Sequence, residues 1–67
     1  MNKYYFETRK EEGNKRGIIL APNVWVAIFK LKMYVGVLRH CSKASQKQLR
    51  RYKPFQIING REVYDKE

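Results

Sequence analysis

Four cationic side chains fall within eight residues in the C-terminal third of the chain, in the stretch QKQLRRYK at positions 46–53. They are Lys47, Arg50, Arg51 and Lys53. Arginine and lysine at this density are typical of surfaces that contact phosphate groups or the edges of guanine. The stretch therefore indicates recognition of a polyanion.

The distribution of charge along the chain points to the same chemistry. The 67 residues carry a formal net charge of +9. All six carboxylates lie near the two ends, and the span from residue 13 to residue 61 contains eleven lysines and arginines but no acid. Surfaces that serve solubility alone usually mix both signs. The acid-free span predicts an electrostatic footprint for nucleic acid, with an acidic protein or an anionic membrane surface as lesser alternatives.

Other reactive side chains do not form a recognisable site. His40 and Cys41 are adjacent, whereas metal ligands usually stand about two to five residues apart and number about four. The glycines are scattered singly, so the sequence has no phosphate-binding glycine loop. A chain this short buries a thin core and has little room for a deep pocket. We expect no enzyme, no cofactor and no metal site.

The cellular compartment follows from the cysteine content and from the hydropathy pattern. Cys41 is the only cysteine, so no internal disulfide is possible, and a reducing, cytoplasmic location is expected. The N-terminal residues are too polar for a signal peptide. Lys30 and Lys32 interrupt the most apolar stretch at a cost of about 5–7 kcal/mol for membrane insertion, so we expect no membrane span.

The first half of the chain predicts a β-hairpin and then an ambiguous segment. Residues 3–8 and 16–20 are rich in aromatic and β-branched side chains, and Gly13-Asn14 suits the hairpin tip. Asn23 could cap a helix that begins at Val24. In residues 24–38 no single polar stripe exists on a helix, whereas on a strand both lysines share one face. This favours a strand over residues 29–37, with Gly36 as a bulge or bend, although a helix stays open.

The aromatic residues of this half are expected to serve the core. Tyr4, Tyr5 and Phe6 belong to the first strand and are interpreted as core residues rather than as platforms for unpaired bases. Trp25 is likewise expected to be a core anchor.

The second half has clearer local signals. Ser45 and Gln48 form a capping box for a short helix over residues 46–52, with Leu49 and Tyr52 as its buried side, and Pro54 ends it. Asn59-Gly60 predicts a type I′ turn that pairs residues 55–58 with residues 61–64. Phe55, Ile57 and Tyr64 would then share one face, and Arg61 would stand at the tip.

The stretch QLRRYKPFQIINGREVYDKE resembles the recognition helix and wing of small winged-helix DNA-binding proteins, the phage excisionases and MerR-type regulators. The matching residues are Arg50, Arg51, Pro54, Gly60, Arg61, Tyr64 and Asp65. The resemblance covers about a third of the chain. It implies a helix that enters a DNA groove and a hairpin that contacts the neighbouring backbone.

The sequence therefore predicts a small single α+β domain over residues 1–67, with an N-terminal β-hairpin, a short basic helix and a C-terminal β-hairpin in a winged-helix-like arrangement. A mostly-β small barrel, or a sheet with one helix, is the alternative. The expected function is binding of nucleic acid, with duplex DNA favoured, in a regulatory or excisionase role of the phage or mobile-element kind. The candidate contact residues are Lys30, Lys32, Arg39, Lys43, Lys47, Arg50, Arg51, Lys53 and Arg61.

Two other functions stay open at this point. One is a small protein-binding module, or an inhibitor of the phage type, that docks on an acidic surface of a host protein. The other is an RNA or single-strand binder that uses a basic sheet. Self-association is possible, but the sequence offers no support for it.

Overall fold

The computed structural model of the protein describes residues 1–9, 15–35 and 37–64. Within these residues the α+β prediction is confirmed, since the chain forms a mixed sheet and two helices. The elements are β1 (Asn2–Arg9), β2 (Arg16–Ala21), α1 (Val24–Val35), β3 (Val37–Lys43), α2 (Gln46–Arg51), β4 (Phe55–Ile58) and β5 (Arg61–Tyr64).

The five strands form one sheet in the order β3-β1-β2-β4-β5. β1 pairs with β2 and with β3 in antiparallel fashion, which confirms the N-terminal hairpin. Its expected tip, Gly13-Asn14, lies outside the described residues. β4 joins β2 in parallel fashion through a single residue pair, Ile19 with Phe55. The C-terminal hairpin therefore meets the rest of the sheet over a short seam.

The C-terminal hairpin follows the turn chemistry of its sequence. Asn59 and Gly60 both have positive φ, 52° and 73°, as a type I′ turn requires. The two-residue turn sets the register, in which Ile58 pairs with Arg61 and Phe55 pairs with Tyr64, as predicted. The local rule was sufficient here because the register of a hairpin depends on its turn.

Residues 24–35 form a helix, so the prediction of a strand over residues 29–37 is wrong for residues 29–35, whereas Val37 does begin a strand, β3. Asn23 caps α1, because its Oδ1 accepts the N–H of Val26 at 3.0 Å. The missing polar stripe misled the strand prediction, since α1 is apolar on its outward side as well as against the sheet. Gly36, the expected bulge, lies outside the described residues.

The two helices lie on opposite faces of the sheet. Tyr4 and Phe6 of β1 belong to the core cluster that contains Ala27 and Leu31 of α1. Tyr5, which lies between them and points to the other face, has its ring 5.8 Å from that of Tyr52, directly after α2. The expected core role of the β1 aromatics is thus confirmed, and both faces of β1 are covered.

Trp25 does not anchor the core, and this prediction is wrong. Its side chain is 76% exposed on the outward side of α1. The buried positions of the helix are Ala27 and Leu31, four residues apart and therefore on one face. Among the described residues, no helix has the length and apolar character needed to cross a membrane.

Phe55 packs the C-terminal hairpin against the rest of the sheet. Its ring meets that of Phe6 edge-on, with centroids 5.8 Å apart and an interplanar angle of 83°. Gly17 makes this contact possible, because a Cβ atom at that position would stand 3.2 Å from the Phe6 ring and 3.5 Å from the Phe55 ring. A single aromatic side chain therefore joins β1, β2 and the hairpin.

We expect Phe55→Ala to cost about 3–5 kcal/mol of stability, because it removes a fully buried ring at the seam. This is comparable to the total of about 3–10 kcal/mol for a domain of this size, so the variant should be largely unfolded without denaturant. Val63→Ala, on the exposed face of the same hairpin, should cost less than about 1 kcal/mol. Urea unfolding followed by circular dichroism measures both, and equal midpoints for the two variants would contradict this role of Phe55.

Candidate nucleic-acid interface

Helix α2 is short and is stabilised by its own sequence at both ends. The Ser45 hydroxyl accepts the N–H of Gln48 at 3.2 Å, and the Gln48 side chain accepts the N–H of Ser45 at 2.9 Å, which confirms the capping box. Arg50 and Arg51 lie in the last turn, where positive charge is favoured by the helix dipole. No residue of α2 is fully buried, so Leu49 is half-buried rather than a core residue.

A cleft of about 590 Å³ separates α2 from the sheet. We call it the basic cleft, and its lining residues are Tyr5, Arg16, Ser45, Lys47, Gln48, Arg50, Arg51 and Tyr52. Lys47, Arg50 and Arg51 stand at spacings of three and four, so they project from one side of the helix. The structure therefore gathers the three predicted α2 cations and adds Arg16 from β2.

A second, smaller cleft of about 190 Å³ adjoins the basic cleft. The two clefts share Arg16, Arg51 and Tyr52. The second also contains Lys53 and the paired Lys15 and Glu62, so it is Lys53 that continues the cationic lining from α2 toward the start of β4. Lys53, a predicted contact residue, thus lies on the same continuous surface.

Within the basic cleft, the α2 cations differ from Arg16 in their pairing. Arg16 forms a salt bridge to Glu7 at 3.2 Å, and this carboxylate also accepts the Tyr5 hydroxyl. Among the described residues, Lys47, Arg50 and Arg51 form no salt bridge. Their charge is consequently available to an external anion.

Tyrosine rings fix the position of α2 on the sheet. Tyr52 packs between the Tyr5 ring and the guanidinium of Arg51, whose Cζ stands 5.9 Å from the Tyr52 centroid. Burial, followed by the neighbouring Glu7 carboxylate, raises the pKa of Tyr5. The Tyr5 hydroxyl therefore stays protonated and serves as a hydrogen-bond donor in this wall of the cleft.

Glu62 of β5 ties the hairpin to α1 and to the start of β2. Its carboxylate accepts Lys15 Nζ at 2.7 Å and the Tyr34 hydroxyl at 2.9 Å. Burial raises the pKa of Glu62, but these hydrogen bonds outweigh it, and the pKa lies below its usual value. Lys15 is partly desolvated, yet its bond to Glu62 raises its pKa. One internal acid thus neutralises the cation nearest the hairpin.

Arg61 projects from the hairpin face that points away from α1. It pairs with Ile58 and shares that residue's side of the hairpin, whereas Phe55 and Ile57 pack toward the core cluster. By the alternation of strand residues this is the side of the sheet on which α2 lies. Arg61 and the α2 cations therefore face the same general direction.

The remaining predicted contact residues line neither cleft, although Lys43 lies only two residues before Ser45. Lys30 and Lys32 belong to α1, across the sheet from α2. Arg39 and Lys43 belong to β3, which forms the far edge of the sheet, separated from β4 by β1 and β2. These four cations are not part of the basic cleft.

Sequence reasoning missed Arg16 and Lys15 as members of this surface. Both fall within the acid-free span, which is a signal, but the span contains eleven cations and does not rank them. Their place beside α2 depends on the pairing of β2 with β4, a contact between distant parts of the chain. Local patterns carry no information about such a contact.

His40 and Cys41 are accounted for locally. His40 Nε2 lies 2.8 Å from the Ser42 hydroxyl. Cys41 is half-buried against the core cluster, and burial raises the pKa of its thiol. Among the described residues, no group of three or more histidine, cysteine or acidic side chains could hold a metal ion.

No protein-family model matches the chain, and searches of curated proteins and of solved structures return no significant match.

We expect Glu62→Gln to lower the melting temperature at neutral pH by about 5 °C, the shift that corresponds to roughly 1 kcal/mol in a domain of this size. The pKa of Glu62 is lowered on folding, so its contribution is present above the unfolded pKa and is lost as the pH falls through the folded pKa. The difference between wild type and variant should therefore shrink toward about pH 3.

Glu7→Gln is the matched control, because the Glu7–Arg16 pair is more exposed and such pairs contribute little. Thermal unfolding at the two pH values measures both variants. A Glu62→Gln effect that is the same at both pH values would contradict the charge-dependent role of Glu62.

Proposed function

We propose that the protein binds nucleic acid, with duplex DNA as the preferred target, and that α2 makes the principal contacts. One observation carries the proposal. Lys47, Arg50 and Arg51 project from a six-residue helix into a cleft whose lining contains no carboxylate. Charges that are gathered in this way and left unpaired among the described residues suit phosphate groups.

The dimensions of α2 suit a DNA groove. Six residues at about 1.5 Å each give a helix of about 9 Å. The major groove of B-DNA is about 12 Å wide, so α2 fits into it with its long side chains extended toward bases and phosphates. Lys53 and Arg61 would then contact the sugar-phosphate backbone beside the groove.

The succession of α2, Pro54 and the β4–β5 hairpin supports the resemblance to a recognition helix and its wing. One feature differs from a helix-turn-helix, in which two helices are joined by a turn of about three or four residues. Here β3 separates α1 from α2, and the helices lie on opposite faces of the sheet. In our proposal α2 and the hairpin therefore act without α1, and a regulatory or excisionase role rests on the resemblance alone.

The aromatic residues that line the basic cleft favour duplex over single-stranded targets. Binders of unpaired bases present exposed ring faces on which bases stack. Tyr5 is buried, and the Tyr52 ring is engaged by Tyr5 and Arg51. On the same side of the sheet Ile18 and Leu20 are also buried, so β2 offers no open surface for a strand of RNA.

We expect duplex affinity to fall with salt at a slope of about −4.5 in log–log form, if Lys47, Arg50, Arg51, Lys53 and Arg61 each neutralise one phosphate. Between about 50 mM and 200 mM salt this is a loss of about 500-fold. In Arg50→Ala/Arg51→Ala the slope should fall to about −2.7, with an affinity loss of at least about tenfold. Fluorescence anisotropy with a labelled duplex measures all of these values.

Lys30→Ala/Lys32→Ala removes the same charge from the other face and should change affinity by less than about threefold. Equal losses in the two double variants would show that net charge, and not α2, governs binding. Affinity for poly-glutamate as high as for DNA would favour the acidic-protein alternative. An affinity that is independent of salt would overturn the proposal.

A further inference from the structure

The outward side of α1 carries a stripe of large apolar side chains. Trp25, Phe29 and Met33 are 76%, 65% and 76% exposed. They stand four residues apart, so they follow one another along a single face of the helix. Contiguous exposed apolar patches on small proteins mark interaction sites. We call these three residues the α1 stripe.

The core explains only one side of α1. Ala27 and Leu31 are buried against the sheet, and the only charged residues in the helix are Lys30 and Lys32. Helices that are apolar all round are normally buried on all sides. The second apolar side of α1 is therefore exposed to solvent and is not needed for packing against the sheet.

We propose that the α1 stripe pairs with the α1 stripe of a second copy of the chain, in an antiparallel, two-fold arrangement. Phe29 lies near the middle of the helix, with Trp25 and Met33 four residues to either side. A two-fold axis at Phe29 brings Trp25 of each copy against Met33 of the other. Two-fold interfaces require such self-complementarity, and thioether-aromatic contacts are favourable.

The two lysines of α1 fit the rim of this interface. At about 100° per residue, Lys32 lies about 20° beyond Trp25 on one flank of the stripe, and Lys30 lies about 60° beyond Met33 on the other. From these positions their aliphatic stems can cover the edge of the apolar contact while the ammonium groups stay in water. The centre of the stripe is uncharged.

The area and the charge predict a weak dimer with an unusual response to salt. Three side chains of this size and exposure offer about 400 Å² per copy, roughly half of a standard interface. Each copy carries a net charge of +9, so the copies repel one another. Salt screens this repulsion and should strengthen the dimer. An acidic peptide or an anionic membrane would instead bind more weakly as salt rises.

Sedimentation equilibrium of the full chain, from about 10 μM to about 1 mM, measures the self-association. We expect a monomer–dimer equilibrium that tightens by at least about threefold between about 50 mM and 500 mM salt. Trp25 is the only tryptophan, so its fluorescence emission reports directly on the stripe. As the protein concentration rises, the emission maximum should shift to shorter wavelength, with the same midpoint concentration as the dimerisation.

Phe29→Ser should abolish both the dimer and the blue shift, while the far-ultraviolet circular dichroism stays unchanged because Phe29 is exposed. Ile58→Ser removes an exposed apolar side chain from the hairpin and should leave the dimer intact. A monomer under all conditions would overturn the proposal, as would association that weakens with salt or that persists in Phe29→Ser. A blue shift seen only with phosphatidylglycerol vesicles would assign the stripe to a membrane instead and would likewise overturn it.

Discussion

The position of the Phe55 ring is the constraint on which the C-terminal half of the fold depends. The β4–β5 hairpin meets the sheet through one residue pair, and Phe55 supplies both that pair and the edge-on contact with Phe6. Gly17 leaves the space that the two rings occupy. Because α2 ends four residues before Phe55, the position at which this ring packs also determines where the α2 cations lie relative to β2.

Local rules predicted the elements that depend on neighbouring residues. The capping box of Ser45 and Gln48 and the register of the Asn59-Gly60 hairpin were both readable, because each is determined within a few residues. The secondary structure of residues 24–35 was not readable. Periodicity assumes one apolar and one polar side, and α1 has two apolar sides with its lysines on the flanks. Trp25 was misjudged for the same reason.

The cations of the candidate site could be predicted from the sequence, but the way in which the fold arranges them could not. The density of cations over residues 46–53 indicated from the sequence that this segment binds a polyanion, and the structure brings Lys47, Arg50 and Arg51 together in one cleft. Arg16 joins them through a parallel strand pairing between distant parts of the chain, which no local pattern encodes. Lys30 and Lys32 were grouped with them by net charge, although the sheet separates the two surfaces. The sequence gives the number of cations, but only the fold determines on which face of the sheet each one lies.

The sheet separates two surfaces of different chemistry: the cations that we propose for nucleic acid lie on the α2 side, and the apolar α1 stripe lies on the other side. Titration of a DNA duplex into the ¹⁵N-labelled protein, at a protein concentration too low for dimerisation, tests this separation most directly. We expect saturable shifts of the backbone amides in residues 46–53 and around Arg61, with those of Trp25, Phe29 and Met33 unchanged. Shifts concentrated in α1, or spread evenly over both faces of the sheet, would contradict it.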